Sequence, residues 1–444
     1  MEEVVQAGSD LAYSNQTMIA WPALFALALA VCFTLSLRRS LFWVPTVVLT
    51  AVVPFSQRIA LGGLDFTLFR ILVIIAAVRA LSLRWYTLPS ASKLDKCVYV
   101  WLAVSGLVYA LREASVSAVV YKAGFFLDSA FCFMMFRAAF SERTDVERAL
   151  RVLCILAVII SVAFLLEVSS GRNVFSYFGG VPEFTKVRDG RLRAQGAFSH
   201  PIVAGVYWST VLLFLVAQLS AVRRYSPALI IGIVSSAVIV VCCASSTPVF
   251  MLAAGILGCT LWVVRSKIRL IVWGSLAALV GLHFIMEAPV WHLLARVSAV
   301  GGSTGWHRYH LIDEFVGRVP EWLVAGVAST AHWGWGLQDV TNQFVLEGVR
   351  AGILGLSLFS LVLAVAFRHP AASNELEDVI FSWCVKGILF AHCAAFFSVS
   401  YFGQAWIMFW FTLSLLQARS CSSIGTHKVS KVSSGSRLLR FDYV

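Results

Sequence analysis

The stretch ALRVLCILAVIISVAFLLEV, residues 149–168, keeps its charged residues, Arg151 and Glu167, near its two ends. Everything between them is aliphatic apart from Cys154, Ser161 and Phe164. As a helix rising about 1.5 Å per residue, the stretch matches a bilayer hydrocarbon core about 30 Å thick. Working outward, about thirteen apolar stretches follow one another, at about 18–37, 41–57, 66–83, 97–112, 117–136, 149–168, 201–221, 227–244, 247–264, 268–286, 343–367, 379–398 and 402–418. Of the 444 residues, 59% are hydrophobic and only 13% charged, and the mean hydropathy is +0.82. No soluble fold needs so many such runs. The expected fold class is an all-α polytopic membrane protein with 12–13 transmembrane helices and two long outer loops, periplasmic or extracellular, at 169–200 and 286–343.

Lys and Arg set the orientation, because short cytoplasmic loops collect positive charge. Arg38 and Arg39 follow the first span at once, which places the N-terminus outside. Alternation then puts Arg84, Lys93 and Lys96 inside, followed by Arg137, Arg143, Arg148 and Arg151. Arg223, Arg224, Arg265, Lys267, Arg269 and Arg368 complete that side. The tail 419–444, rich in Ser, Lys and Arg, reads as a disordered basic cytoplasmic tail touching anionic lipid. Residues 1–10 hold Glu2, Glu3 and Asp10 but no Lys or Arg, so the first span reads as a retained signal anchor. Residues 1–418 form one integral membrane domain in this reading, without an internal repeat.

The net charge of +12 is mostly topological, and no basic, aromatic-laced soluble module is present to bind nucleic acid. Nine of the ten cysteines fall in or at the ends of apolar stretches, and neither long loop holds one. With no CxxC pair, packing is the expected role of these thiols, and neither a zinc site nor a cofactor is expected.

The long loops break the charge rule. The first contains Arg172 and the run KVRDGRLRAQGAFSHPIVAG (186–205). Lys186, Arg188, Arg191 and Arg193 there precede Ser199, His200 and Pro201 at the start of a span. Pro201 suits the first turn of that helix, with Ser199 or His200 at its cap. The positive end of the helix would then lie beside the arginines, a suitable seat for a diphosphate. Contact with lipid headgroups is the plainer alternative for the arginines, and capping or packing for His200.

The second loop carries Arg296, Arg308 and Arg318 within an aromatic stretch too long for a simple connection. Residues 307–317 suit a short helix starting near Ser303 or Thr304. Trp306, Tyr309, Trp322, Trp333 and Trp335 can anchor the loop at the membrane surface or stack on sugar rings. His307 and His310 lack a third ligand, so metal is not expected. Asp339, Thr341 and Asn342 stand where the chain returns to the bilayer. Asp339 is a candidate base, and all three are also good helix caps. Within the spans, Lys122 and Asp128 are expected to pair with other helices. Asp65 with Arg70, and Glu347 with Arg350, suit structural ion pairs, while Arg79 suits snorkelling.

Three stretches carry a family resemblance: RLRAQGAFSHPIVAG (191–205), SSTPVFMLAAGILG (245–258) and DVTNQFVLEGVRAGILG (339–355). Their order, spacing and position resemble the O-antigen ligase and Wzy-type polymerase superfamily over nearly the whole chain. The resemblance implies a GT-C-like membrane glycosyltransferase, inverting and metal-independent, in the bacterial inner membrane. Its partners would be an undecaprenyl-diphosphate-linked oligosaccharide, membrane lipids, a chain-length regulator and export machinery. By position, Arg191 and Arg193 match the first-loop arginines and Arg308 the one in the second loop, which would hold the diphosphate. Arg188 of the same run and Asn342 are further substrate-binding candidates, and Asp339 and His200 are the candidates to take a proton. Ligases of this family carry His immediately before the Asn, where this chain has Thr341. That departure favours a polymerase of O-antigen, capsule or exopolysaccharide units over a ligase that acts on a lipid A core. A transporter of lipid-linked sugar is the remaining alternative; it would call for broken helices and inverted repeats, and the sequence shows neither.

Overall fold

The computed structural model describes residues 19–62, 64–87, 91–222, 226–296 and 305–418. The expected basic tail, the first eighteen residues, and Ser303 and Thr304 lie outside the described residues. The chain opens with α1 (Trp21–Ser36) and α2 (Val44–Val52), then a hairpin of β1 (Arg58–Leu61) and β2 (Leu64–Thr67). Helices α3 (Leu68–Ser82), α4 (Lys93–Glu113), α5 (Val116–Ala139) and α6 (Arg143–Ser170) follow. The first long loop carries a second hairpin, β3 (Lys186–Arg188) and β4 (Arg191–Arg193). Next come α7 (Pro201–Val222), α8 (Pro227–Cys242), α9 (Ser246–Thr260) and α10 (Ile268–Ile285). The second long loop contains α11 (Gly305–Gly317) and the single turn α12 (Val319–Trp322), before α13 (Gln343–Phe367), α14 (Leu376–Phe396) and α15 (Ala405–Leu415).

Each apolar stretch read from the sequence coincides with a helix. Among the described residues, seven helical segments are long and apolar enough to cross a membrane: α4, α5, α6, α7, the run through α9 and α10, α13 and α14. The protein is a predominantly helical, multi-pass membrane protein. The shortfall from about thirteen full spans has a physical origin. Proline bounds α2, with Pro45 in its first turn and Pro54 just beyond its end, so nine residues are helical. Helix α15 is apolar because protein surrounds it, and all its residues from Ala405 to Leu415 are buried. Hydropathy registers an apolar environment without telling lipid from packed side chains. The indoles of Trp101, Trp406 and Trp410 meet there, with ring centres 5.5–6.1 Å apart.

Several charged groups within the helices find partners inside the bundle. Asp128 on α5 receives both Nε and Nη2 of Arg70 on α3, at 2.8 and 2.9 Å. The expected Asp65–Arg70 ion pair is therefore corrected: Arg70 gives only its Nη1 to the Asp65 carbonyl, and the Asp65 carboxylate faces Arg58 at 3.8 Å. Glu347 likewise accepts from Trp101 and Gln343 instead of Arg350, which donates to the Tyr121 hydroxyl. The Lys122 ammonium sits over the Tyr109 ring, 4.6 Å from its centre. Arg79 donates to the Thr34 and Leu37 carbonyls, closing the C-terminal end of α1.

Helix α13 is broken, a feature unforeseen in its sequence. Ala351 (φ −144°, ψ 23°) and Gly352 (φ 64°, ψ −160°) leave the helical region. Residues 323–327 of the second loop fill the gap: Val327 N–H donates to the Val349 carbonyl, and Ile353 N–H to that of Leu323, both at 2.8 Å. Arg112 Nη1 adds a third bond, to the Val349 carbonyl at 2.7 Å. The two strands of backbone approach so closely that a Cβ at Gly352 would lie 2.5 Å from the Val324 oxygen. Gly352 also holds a backbone conformation that is essentially glycine-only. Gly352→Ala should therefore lose about 1–3 kcal/mol of stability or more. Thermal unfolding in detergent checks this, and an unchanged melting temperature would mean that the break tolerates a side chain.

Candidate functional site

The two long loops meet at one end of the bundle, and buried hydrogen bonds hold the first of them in place. The Glu167 carboxylate, at the end of α6, accepts from the Gln195 and Gly196 amides at 3.0 and 2.9 Å. Asn173 Nδ2 donates to the Gly196 carbonyl, Ala194 N–H to the Cys242 carbonyl, and Gln404 Nε2 to the Ala197 carbonyl. Gly196 has φ +59°, and a Cβ there would press within 2.5 Å of the Phe164 ring. The loop backbone is thereby fixed against α6, the end of α8 and the segment before α15.

Before these anchors stands the β3–β4 hairpin. Asp189 (φ 50°) and Gly190 (φ 72°) make its two-residue turn, whose positive φ values match the twist of a hairpin. The register pairs Lys186 with Arg193 and Arg188 with Arg191. Side chains alternate along a strand, so these four cations share one face, while Val187 and Leu192 share the other. Like charges directly opposite one another are destabilising. Asp189 offsets one of the four, 3.7 Å from Arg188, and the face keeps an excess of positive charge that favours an anion. Arg188 and Arg191 are exposed, whereas Arg193 is buried and its Nε finds no hydrogen-bond partner in the protein. Burial, and then Arg188, push the Arg193 guanidinium below the ordinary arginine value.

His200 stands at the start of α7, as its sequence position suggested, and its Nδ1 accepts from the Ile202 amide at 3.1 Å. Burial, followed by the charges of Arg193, Lys186 and Arg188, lowers its pKa to about 4. The ring is therefore neutral near pH 7, with its proton on Nε2, a state suited to donating to an anion and not to accepting a proton. Ser199 Oγ, beside it, is buried and has no partner in the protein.

From the second loop, α11 brings Arg308 to the same place. Its Nε donates to the Ser398 carbonyl at 3.2 Å, and its Nη2 to Thr247 Oγ1 at 3.4 Å, in the first turn of α9. Burial first, and the charge of Arg188 second, lower its pKa. The structure thus gathers Lys186, Arg188, Arg193, His200 and Arg308, with Arg191 on the same hairpin face. Carboxylates also stand beside loop arginines: Arg318 pairs with Glu314 and Glu321 at 2.6 and 3.2 Å, Arg172 with Glu183 at 3.6 Å, and, on the hairpin itself, Arg188 with Asp189 at 3.7 Å. Asn342 is buried and caps α13, its Oδ1 accepting from the Phe344 and Val345 amides. Asp339 is exposed, and its carbonyl meets His307 Nε2 at 3.0 Å on the residue next to Arg308. Among the described residues, its carboxylate makes no ion pair.

Sequence reasoning left Thr247 and the Ser398 carbonyl unassigned and read Ser199 only as a candidate cap. The Asp-Gly pair at 189–190, between short alternating runs, was the available signal for the hairpin. A backbone carbonyl such as that of Ser398 leaves no sequence signal at all. Among the described residues, no three His, Cys, Asp or Glu side chains gather as a metal site. Comparison with protein-family models, curated proteins and solved structures finds no match for this chain.

The half-buried, neutral His200 links stability to pH. The unfolded chain takes up this proton near pH 6.5, and the folded chain resists until about pH 4. The contribution is complete above pH 6.5 and is lost as pH falls toward 4, by up to roughly 3 kcal/mol. His200→Asn, which keeps a capping side chain, should lose less thermal stability than the native chain between pH 7 and pH 4. Equal losses would remove His200 from this linkage.

Proposed function

We propose that the protein is a membrane glycosyltransferase that polymerises polyprenyl-diphosphate-linked oligosaccharide units into a surface polysaccharide. The carrying observation is the convergence of Lys186, Arg188, Arg193 and Arg308 from two separate loops onto one partly buried face. Crowded, desolvated guanidiniums are stabilised by a multivalent anion, and a diphosphate suits their paired donors. In this reading the loops lie on the outer face of the bacterial cytoplasmic membrane.

The acceptor hydroxyl oxygen attacks the anomeric carbon as the bond from that carbon to the diphosphate oxygen breaks, which inverts the centre. The leaving diphosphate takes the electron pair, and the fixed arginines stabilise its growing charge in a desolvated site. The acceptor proton passes to a base. Asp339 suits that role better than His200, whose Nδ1 is committed to the Ile202 amide. Thr341, where ligases of the similar family have His, supports polymerase over ligase.

The broken α13 is the observation favouring a transporter, since such breaks create ion sites in that class. Here Arg112, Val327 and Leu323 already occupy the freed backbone groups, leaving the enzyme as the better reading.

Arg193→Ala and Arg308→Ala should each lower the transfer rate by about 10²–10³-fold, the loss typical of one transition-state donor. The measurement is the length of surface polysaccharide on a gel, beside protein level, in cells lacking the native gene. Single repeat units with protein still present are expected. Full-length polymer left unattached would point to a ligase, and normal polymer from both variants would overturn the reading.

A further inference from the structure

A second cleft, of about 510 Å³, opens beside the arginine site. The β1–β2 hairpin, α3, α5, α13 and the segment before α15 enclose it. A smaller cavity of about 60 Å³ continues it, sharing Phe55, Phe125, Asp128, Gly403 and Trp406. The combined space falls within the range of small-ligand sites.

Its chemistry differs from that of the hairpin face. Arg70 is locked to Asp128 through two bonds, and Arg58 faces Asp65, so two of its three arginines are balanced by carboxylates. The third, Arg350, is held by the Tyr121 hydroxyl at 3.0 Å. Around these fixed polar groups stand aromatic rings: Tyr121 and Phe402 are exposed, and Phe55 and Phe125 half-buried. Planar donors and acceptors, most of them charge-balanced, on an aromatic floor suit a ligand with apolar C–H faces and a rim of hydroxyls. It suits a diphosphate poorly, since the carboxylates of Asp65 and Asp128 would repel it.

We infer that this cleft binds sugar rings, with Arg350 and Tyr121 hydrogen-bonding their hydroxyls and the flanking aromatic rings covering their apolar faces. The cleft also adjoins the arginine site. Ser398 receives Arg308, while Gly403, five residues on, lines the cleft opposite Ser199, whose Oγ would lie 3.8 Å from a Cβ at Gly403. One short segment thus separates an anion-binding face from a sugar-binding cleft. That a single glycolipid or a donor–acceptor pair spans both rests on the function proposed above; sugar binding by the cleft does not.

The test uses full-length protein in detergent and two probes. The first is an array of free oligosaccharides covering neutral, amino and acidic hexoses; the second is inorganic pyrophosphate, read by thermal stabilisation. The native protein should be retained by at least one glycan class. Tyr121→Phe and Arg350→Gln should each weaken that retention about tenfold, the weight of one hydrogen bond to a charged group, and leave pyrophosphate stabilisation unchanged. Arg193→Ala should do the reverse. No retention of the native protein on any glycan, or loss of the pyrophosphate effect in the cleft variants, would overturn the inference. Glycan retention without any pyrophosphate effect would sink the diphosphate reading while the sugar cleft stands.

Discussion

The Glu167 carboxylate holds two amide groups of an irregular loop, those of Gln195 and Gly196, in a site closed to water. Hydrocarbon offers no partner to a freed backbone group, so any departure from helix beside a membrane must be satisfied by the protein itself. The chain meets this constraint with charged side chains at several places. Glu167 secures the first long loop, Arg112 the break in α13, and Arg79 the end of α1. With these positions closed, the two loops can fold against the bundle and present their remaining cations on one face.

What remains after those structural assignments defines the two candidate sites. Arg172 and Arg318, alike in composition to the other loop arginines, are spent on Glu183, Glu314 and Glu321. Arg308 instead meets only neutral hydrogen-bond partners and Arg193 Nε meets none, beside a His200 kept neutral by burial and by the charges of Arg193, Lys186 and Arg188. Across the 398–403 segment, carboxylates match two of the three arginines, a tyrosine hydroxyl holds the third, and aromatic rings surround them. Adjacent regions of one membrane protein thus offer an excess of positive charge and a more nearly balanced, ring-lined cleft, which are suited to different parts of one amphiphilic ligand.

Much of this was legible from the residues in order. The apolar stretches locate the helices because a span must be apolar along its length. Pro201 placed the start of α7, and 307–317 gave α11 to within its first turn. Arg188, Arg193 and Arg308 stood out because cations are expected elsewhere. The pairing of charges was not legible, since Asp128 could meet Arg70 only once α3 and α5 were packed side by side. Asn342, read as a ligand residue or a cap, acts as a cap.

By itself the sequence determined that this is a multi-pass helical membrane protein with arginine-bearing loops, because hydropathy and loop charge are local properties of a chain. Tertiary structure alone decided which arginines stay available, that α15 lies in protein and not in lipid, and that α13 breaks to admit the second loop. Each of these outcomes depends on partners distant in sequence. Hydrogen bonds and ion pairs form between groups that packing brings within about 3 Å, and no local pattern records that distance.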